Sequence, residues 1–202
     1  MPSLTEEIQS FPRSRLRRQC TRVTSLSGRR IIETWRGSTV TVVEDQSPPG
    51  SNMGYIPDTS WDLQIGRIKP FLLLGSQDAA HDFGTLKKYK VSHILNVAYG
   101  IENVFPLLFI YKNVQILDQP DTELTAHLKE CCHFIKQAQE ENGVVLVHCN
   151  TGVSRAAAVV IGYLMSCDGQ PFEEALSSVK TARPACCLNP GFLEQLQRYR
   201  QP

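Results

Sequence analysis

The chain has no long apolar run. Its 202 residues hold no stretch of about 18 consecutive apolar side chains, the length a membrane-spanning helix needs. The first residues are polar and contain no apolar signal core, so neither a membrane partner nor export is expected. Net charge is nearly absent as well: 21 Lys and Arg stand against 20 Asp and Glu, leaving +1. So balanced a chain does not advertise nucleic-acid binding. Cysteines at metal-ligand spacing are also missing. There are seven Cys, an odd number; none lies in a C-x-x-C pair, and Cys131-Cys132 and Cys186-Cys187 are adjacent doublets. No metal site is therefore expected, and a reducing compartment fits better than a disulfide framework. The cytoplasm is the expected location, with the nucleus as a second. There is no internal repeat. The remaining composition, 42% apolar and 20% charged, is that of a globular chain able to bury a useful core.

Chemistry is concentrated between Val144 and Arg155. An apolar run, Val144-Val145-Leu146-Val147, ends in His148-Cys149; Asn150-Thr151-Gly152-Val153-Ser154 follows, then Arg155 and the helix-like Ala156 to Met165. This reads as a buried strand, a tight loop and a helix start. Such loops lie at the carboxyl ends of strands, where open α/β sheets bind ligands. To attack anything, Cys149 must act as its thiolate. The loop's N–H groups, the positive end of the following helix and Arg155 all favour an anion in one place. The planar guanidinium can grip two oxygens of a phosphate monoester, a geometry that lysine lacks. Gly152 supplies the missing Cβ where the backbone turns or approaches the ligand. The predicted chemistry is attack on phosphorus, a phosphocysteine intermediate and its hydrolysis. A merely structural buried Cys is the alternative, but it leaves Gly152 and Arg155 unexplained.

Residues 1–62 read as a basic extension and linker, and 63–202 as the folded catalytic domain. The first 36 residues carry eight Arg against three Glu, a net of +5 that leaves −4 for the rest. That asymmetry suggests either a docking arm or a solvated extension. Ser3 with Glu6 has the spacing of a helix cap. Residues 31–43 have strand-like patterning, and 44–60, with Pro48-Pro49-Gly50-Ser51, read as linker. Beyond Leu63, Ile68–Gly75 is expected as one strand with Pro70 at an edge or bulge. A helix capped by Asp78 and running to about Lys88 follows. Val91–Val97 and Tyr111–Leu117 are the next strands. A helix capped by Asp121 or Thr122 ends at Asn142-Gly143. After the central strand and helix, Phe172–Thr181 and Asn189–Arg200 read as two further helices. Alternating strands and helices predict an α/β fold of three layers, a central mostly parallel sheet flanked by helices.

Phosphate-ester cleavage also needs a proton for the leaving oxygen, from an acid on another loop at the same sheet edge. Asp118 is the best placed. It ends a strand expected near Val144–Val147, and Gln119-Pro120 make a turn beside it. Asp121 and Glu123 are rivals, better explained as helix cap and first-turn acid. His148 is read as shaping the loop and tuning Cys149, not as a base.

His148-Cys149-x-x-Gly152-x-x-Arg155 resembles the signature of the protein tyrosine phosphatase superfamily. Leu72-Leu73-Leu74-Gly75-Ser76, His93-Ile94-Leu95-Asn96-Val97-Ala98, Asp118, Ala182-Arg183-Pro184 and Asn189-Pro190-Gly191-Phe192 are similar to its dual-specificity class. The resemblance covers about residues 63–200. It implies Cys149 as nucleophile, Arg155 as phosphate clamp and Asp118 as general acid and then base. Asn150, Thr151, Gly152, Val153 and Ser154 line the substrate site, and His148, Asn96 and Asn189 support the loop. No metal or cofactor is implied. The family usually has Ser or Thr after the Arg, where a hydroxyl helps the thiolate leave; here Ala156 stands there, so breakdown of the intermediate is expected to be slow. Leu188 replaces a common Pro. No variable loop residue is basic, which argues against inositol lipids carrying several phosphates. Phosphorylated proteins are the expected partners, above all kinases of mitogen-activated and stress-activated pathways. A weakly active phosphatase that mainly binds phosphoproteins or serves as a scaffold is the second reading, and a rhodanese-like Cys-x5-Arg enzyme the third.

Overall fold

The computed structural model describes residues 61–199 in full and the backbone of three strands upstream. The chain divides into two units, 1–57 and 58–202. In the first, β1 (Cys20–Thr24), β2 (Arg30–Arg36) and β3 (Thr39–Glu44) form an antiparallel sheet in that order. The strand-like patterning of 31–43 thus resolves into two strands, with Arg36 paired to Thr39 at the reversal. The Ser3 cap and the linker beyond Glu44 lie outside the described residues.

The second unit holds β4 (Gly66–Lys69), β5 (Leu72–Gly75), β6 (His93–Ala98), β7 (Ile110–Ile116) and β8 (Val145–His148). Its helices are α1 (Gln77–His81), α2 (Phe83–Lys88), α3 (Leu124–Glu140), α4 (Arg155–Asp168), α5 (Phe172–Ala182) and α6 (Pro190–Arg198). The strand order is β4-β5-β8-β6-β7, parallel except for the β4–β5 pair. Strand alternation builds the layers. Leu72, Leu74, Leu95, Val97, Val145 and Val147 face one core with α3, α4, α5 and α6. Leu73, Ile94 and Leu146 face the other, with Ala80, Leu86 and Val91. β8 lies between β5 and β6, so it is apolar on both faces, as a central parallel strand must be. α4 is buried from Arg155 to Met165, which explains why its sequence shows no polar face.

Several local expectations change. Ile68–Gly75 is a hairpin, β4 and β5, rather than one strand: the chain turns at Pro70-Phe71, where a proline costs no ladder bond, and the register shifts between Arg67 and Lys69. The helix expected through Lys88 is two short ones. Ser76, not Asp78, caps the first by accepting from Ala79 N at 3.1 Å; Asp82 ends it and caps the second, accepting from Thr85 N at 2.6 Å. Neither Asp121 nor Thr122 caps α3. Its first N–H, at Leu124, is shared between the Thr122 carbonyl at 2.9 Å and Gln195 Oε1 at 2.8 Å, from α6. The other end of α3 closes as expected. Asn142, at φ +56°, and Gly143 donate to the Gln139 and Ala138 carbonyls, the crossed pair of a Schellman motif.

Candidate active site

β8 delivers His148 to the carboxyl edge of the sheet, in register with Gly75 on β5 and Asn96 on β6. Cys149 follows, 1% exposed. From there to α4 every loop carbonyl has a donor. The carbonyl of Asn150 accepts from Gln77 N at 2.7 Å, and that of Thr151 from Arg183 Nη2 at 2.7 Å. Gly152 accepts from Arg183 Nε at 3.0 Å, Val153 from Cys187 N at 3.0 Å, and Ser154 from Ala158 N at 2.8 Å. In a planar trans peptide the N–H of the next residue points opposite to each carbonyl. Five outward carbonyls therefore turn the amides of residues 151–155 inward, into a cradle for an anion. Gly152 has φ +67°, and an added Cβ would stand 2.2 Å from the Gly75 carbonyl oxygen; only glycine fits the loop against β5.

Arg155 is the first residue of α4 and is 9% exposed. Its Nη1 donates to the Ile116 carbonyl at 3.3 Å, at the end of β7. Its Nε is buried without a hydrogen-bond partner and lies 3.7 Å from Asp118 Oδ2. A buried guanidinium with a donor unspent, beside inward amides, is a site waiting for oxygens.

Asp118 lies just past β7. That strand is not β8's neighbour, because β6 intervenes, so the acid has to reach across one strand. It does so through side chains: Oδ1 accepts from Ser154 Oγ at 2.7 Å and from Asn189 Nδ2 at 2.8 Å. Asp118 thus meets Arg155 and the loop that Cys149 begins, whereas Asp121 and Glu123 have no such contact with the loop among the described residues.

The supporting residues divide. His148 is 1% exposed, and burial pushes its imidazole down to about 4, so it is neutral near pH 7. Its Nδ1 lies 3.3 Å from the Cys149 carbonyl. Asn189 caps α6, accepting from Phe192 N at 2.9 Å, and its own N donates to Ser154 Oγ at 3.2 Å. Asn96 does not support the loop. Its side chain instead pins the segment after β6, donating to the Ile101 carbonyl at 2.9 Å and Asn103 Oδ1 at 3.2 Å and accepting from Ala98 N. Register places Asn96 beside His148, but its side-chain hydrogen bonds all go to residues 98–103.

The most heavily engaged support is Arg183, 1% exposed, which sequence reasoning did not single out for a role. Besides Thr151 and Gly152 it binds the Gln64 carbonyl at 2.7 Å and Asp62 Oδ2 at 2.5 Å. Asp62 in turn donates its N–H to Asp78 Oδ2 and accepts from Ser76 Oγ. These two residues fall on either side of the boundary read at 62/63, yet both are tied to the loop. Among the described residues no group of three or more His, Cys, Asp or Glu could hold a metal ion, and no helix is long and apolar enough to cross a membrane.

Comparison with known proteins decides the family. Residues 72–202 match the model described as "Dual specificity phosphatase, catalytic domain". The chain belongs to the dual specificity phosphatase family. This phosphatase is 58% identical to mouse dual specificity protein phosphatase 19 over 200 residues, 99% of this chain and 91% of that protein. It is 46% identical to rat protein phosphatase Slingshot homolog 3 over 137 residues, 68% of this chain but 21% of that protein. The solved structure of human DUSP28 superposes with a TM-score of 0.64 at 36% identity, covering 67% of this chain and 91% of that one. A human tyrosine phosphatase-like serine/threonine/tyrosine-interacting protein gives 0.63 at 33%, covering 67% and 95%. The protein is thus a dual-specificity protein phosphatase with the three-layer α/β fold of its superfamily.

Proposed function

We propose that the phosphatase works through a phosphocysteine formed on Cys149. One observation carries this reading: the unspent Arg155 Nε lies 3.7 Å from Asp118 Oδ2 at the end of a loop that begins with the Cys149 thiol and turns its amides inward. Arg155 and the amides hold three phosphate oxygens. The Cys149 thiolate attacks phosphorus while Asp118 gives its proton to the leaving oxygen. The carboxylate then takes a proton from water that attacks the phosphocysteine, releasing phosphate and the thiolate. His148, neutral and behind the loop, moves no proton. Hydrolysis of a small aryl phosphate across pH by the wild type, Cys149→Ser and Asp118→Asn tests these roles. The first change abolishes turnover and the second strongly reduces it. Activity surviving Cys149→Ser would refute the scheme.

The substrates are phosphotyrosine and phosphoserine or phosphothreonine on proteins, in mitogen-activated and stress-activated kinase signalling in the cytoplasm. Support comes from the loop's charge. Arg155 is its only cation; Arg183 spends its donors on carbonyls and Asp62 behind the loop. One available cation suits one phosphate, not a multiply phosphorylated inositol. Ala156 favours a second reading, a slow phosphatase that chiefly holds phosphoproteins, because no hydroxyl follows Arg155 to ease thiolate departure. Trapping a stoichiometric phosphocysteine with little turnover would favour it.

A further inference from the structure

We propose that Ser154 is the positioning residue of the general acid, and that it fixes which Asp118 oxygen carries the proton. The proposal rests on the reading of Asp118 as that acid. Ser154 Oγ is 2.7 Å from Asp118 Oδ1 and 3.2 Å from Asn189 N. A hydroxyl has one hydrogen. Asn189 N–H can only donate, so it takes the acceptor side of Oγ, and the hydroxyl hydrogen points at Asp118. Asn189 Nδ2 sends a second donor to the same carboxylate oxygen at 2.8 Å. A proton on Oδ1 would face two donors; on Oδ2 it faces none of them. Oδ2 is also the oxygen on the Arg155 side, 3.7 Å from Nε, where a clamped phosphate would present its leaving oxygen. Ser154 therefore assigns acceptance to Oδ1 and proton donation to Oδ2.

Two consequences follow. Ser154 belongs to the loop that cradles the phosphate, so acid and anion site are fixed by one element although 36 residues separate Ser154 from Asp118. Its hydroxyl hydrogen is also committed, so Ser154 does not stand in for the hydroxyl missing at Ala156. The effect on substrates is graded by leaving-group basicity. A phenoxide leaves with little help, whereas a serine or threonine alkoxide is far more basic and needs the proton in the transition state. Ser154 is thus a specificity determinant, weighing more on phosphothreonine than on activated aryl esters.

The experiment measures kcat/KM for aryl phosphates of graded leaving-group acidity and for a phosphothreonine peptide, with the full chain, Ser154→Ala, Ser154→Thr, Asn189→Ser and Asp118→Asn. Inhibition by inorganic phosphate reports whether the cradle is intact. General acids contribute on the order of 10²–10⁴-fold, so Ser154→Ala is expected to lose roughly tenfold on the peptide and under about threefold on the most acidic aryl ester. Its leaving-group dependence steepens toward that of Asp118→Asn, while inhibition by phosphate stays unchanged. Asn189→Ser steepens it likewise, and Ser154→Thr, which keeps the hydroxyl, restores the wild-type slope. An equal loss on every substrate, with weaker phosphate inhibition, would mean that Ser154 merely shapes the loop and would overturn the proposal. So would a wild-type slope in Ser154→Ala beside a steep one in Asp118→Asn, which leaves the acid in place. A flat response from Asp118→Asn itself would remove the acid and the proposal together.

Discussion

Ala156 is fully buried in the first turn of α4, directly after the phosphate clamp. A hydroxyl there would stand one residue past the clamp, and Ser154, whose hydroxyl is committed to Asp118, does not replace it. In a two-step reaction kcat/KM reports steps up to the first irreversible one, whereas kcat also reports breakdown of the intermediate. Ala156→Ser is therefore expected to raise kcat several-fold and leave kcat/KM within about twofold. Stopped-flow release of the phenol should show a burst in the wild type that shrinks in the variant; no change in either would mean that breakdown is not limiting. His148 makes a stability prediction. Its imidazole sits near 4 when folded against 6.5 when free, because burial disfavours the cation. Above about 6.5 neither state binds the proton and there is no penalty. As pH falls toward 4 the unfolded chain takes up a proton that the folded one refuses, so stability drops, by about 2–3 kcal/mol at pH 4.5. His148→Gln removes that titration, and its denaturant midpoint should fall less between pH 7 and pH 4.5 than the wild type's. At this scale the sequence is most readable where chemistry is local. Cys149, Gly152 and Arg155 announce themselves within seven residues. Ser154 does not, because its meaning lies in a bond to Asp118, and Arg183 does not, because its partners lie 31 to 121 positions away.

Among the elements, α6 does work that its own pattern hides. It buries Phe192 and Leu196 on one side, and its first two turns hold the segment that carries the acid. Asn189 binds Asp118; Gly191 lies so close to Pro120 that an added Cβ would meet the Pro120 carbonyl oxygen at 1.8 Å. Gln195 then donates to the Thr122 carbonyl at 2.7 Å and accepts from Leu124 N at 2.8 Å. The cap of α3 is thus supplied from another helix, and no local rule applied to Asp121 or Thr122 could have found it. Gln195→Ala removes two hydrogen bonds and leaves the Thr122 carbonyl and the Leu124 N–H only the 2.9 Å bond they make to each other; at about 0.5–1.5 kcal/mol for each bond, the loss is about 1–3 kcal/mol. Denaturant unfolding should register this, and an unchanged midpoint would mean that water replaces the amide at no cost. Strand alternation and the βα rhythm made the three-layer sheet legible, since both are properties of the backbone period. The hairpin at Pro70 and the break at Asp82 were not, because a short apolar run cannot distinguish one strand from two.

For the whole molecule, the question is where the catalytic unit begins. The compact unit starts at residue 58, and Asp62 and Gln64 belong to the frame behind the loop through Arg183. A chain starting at residue 58 keeps that frame, and its melting temperature and aryl phosphate turnover should match those of the full chain. A chain starting at Gly66 removes two of the four partners, including the one carboxylate, of a guanidinium that is 1% exposed. An uncompensated buried charge costs about 3–5 kcal/mol, and the Thr151 and Gly152 carbonyls would lose their fixed donors as Arg183 seeks water. The eight residues 58–65 should therefore decide both stability and turnover, while the 57 before them decide neither. Those 57 include the eight Arg that give the arm its charge. If the arm docks kinases, the 58–202 chain should lose binding to phosphorylated mitogen-activated kinases while its aryl phosphate kcat/KM stays constant. Kinase affinity equal to that of the full chain would return the arm to the status of a solvated extension. A fall in aryl phosphate turnover of the 58–202 chain would instead mean that the catalytic unit does not begin there.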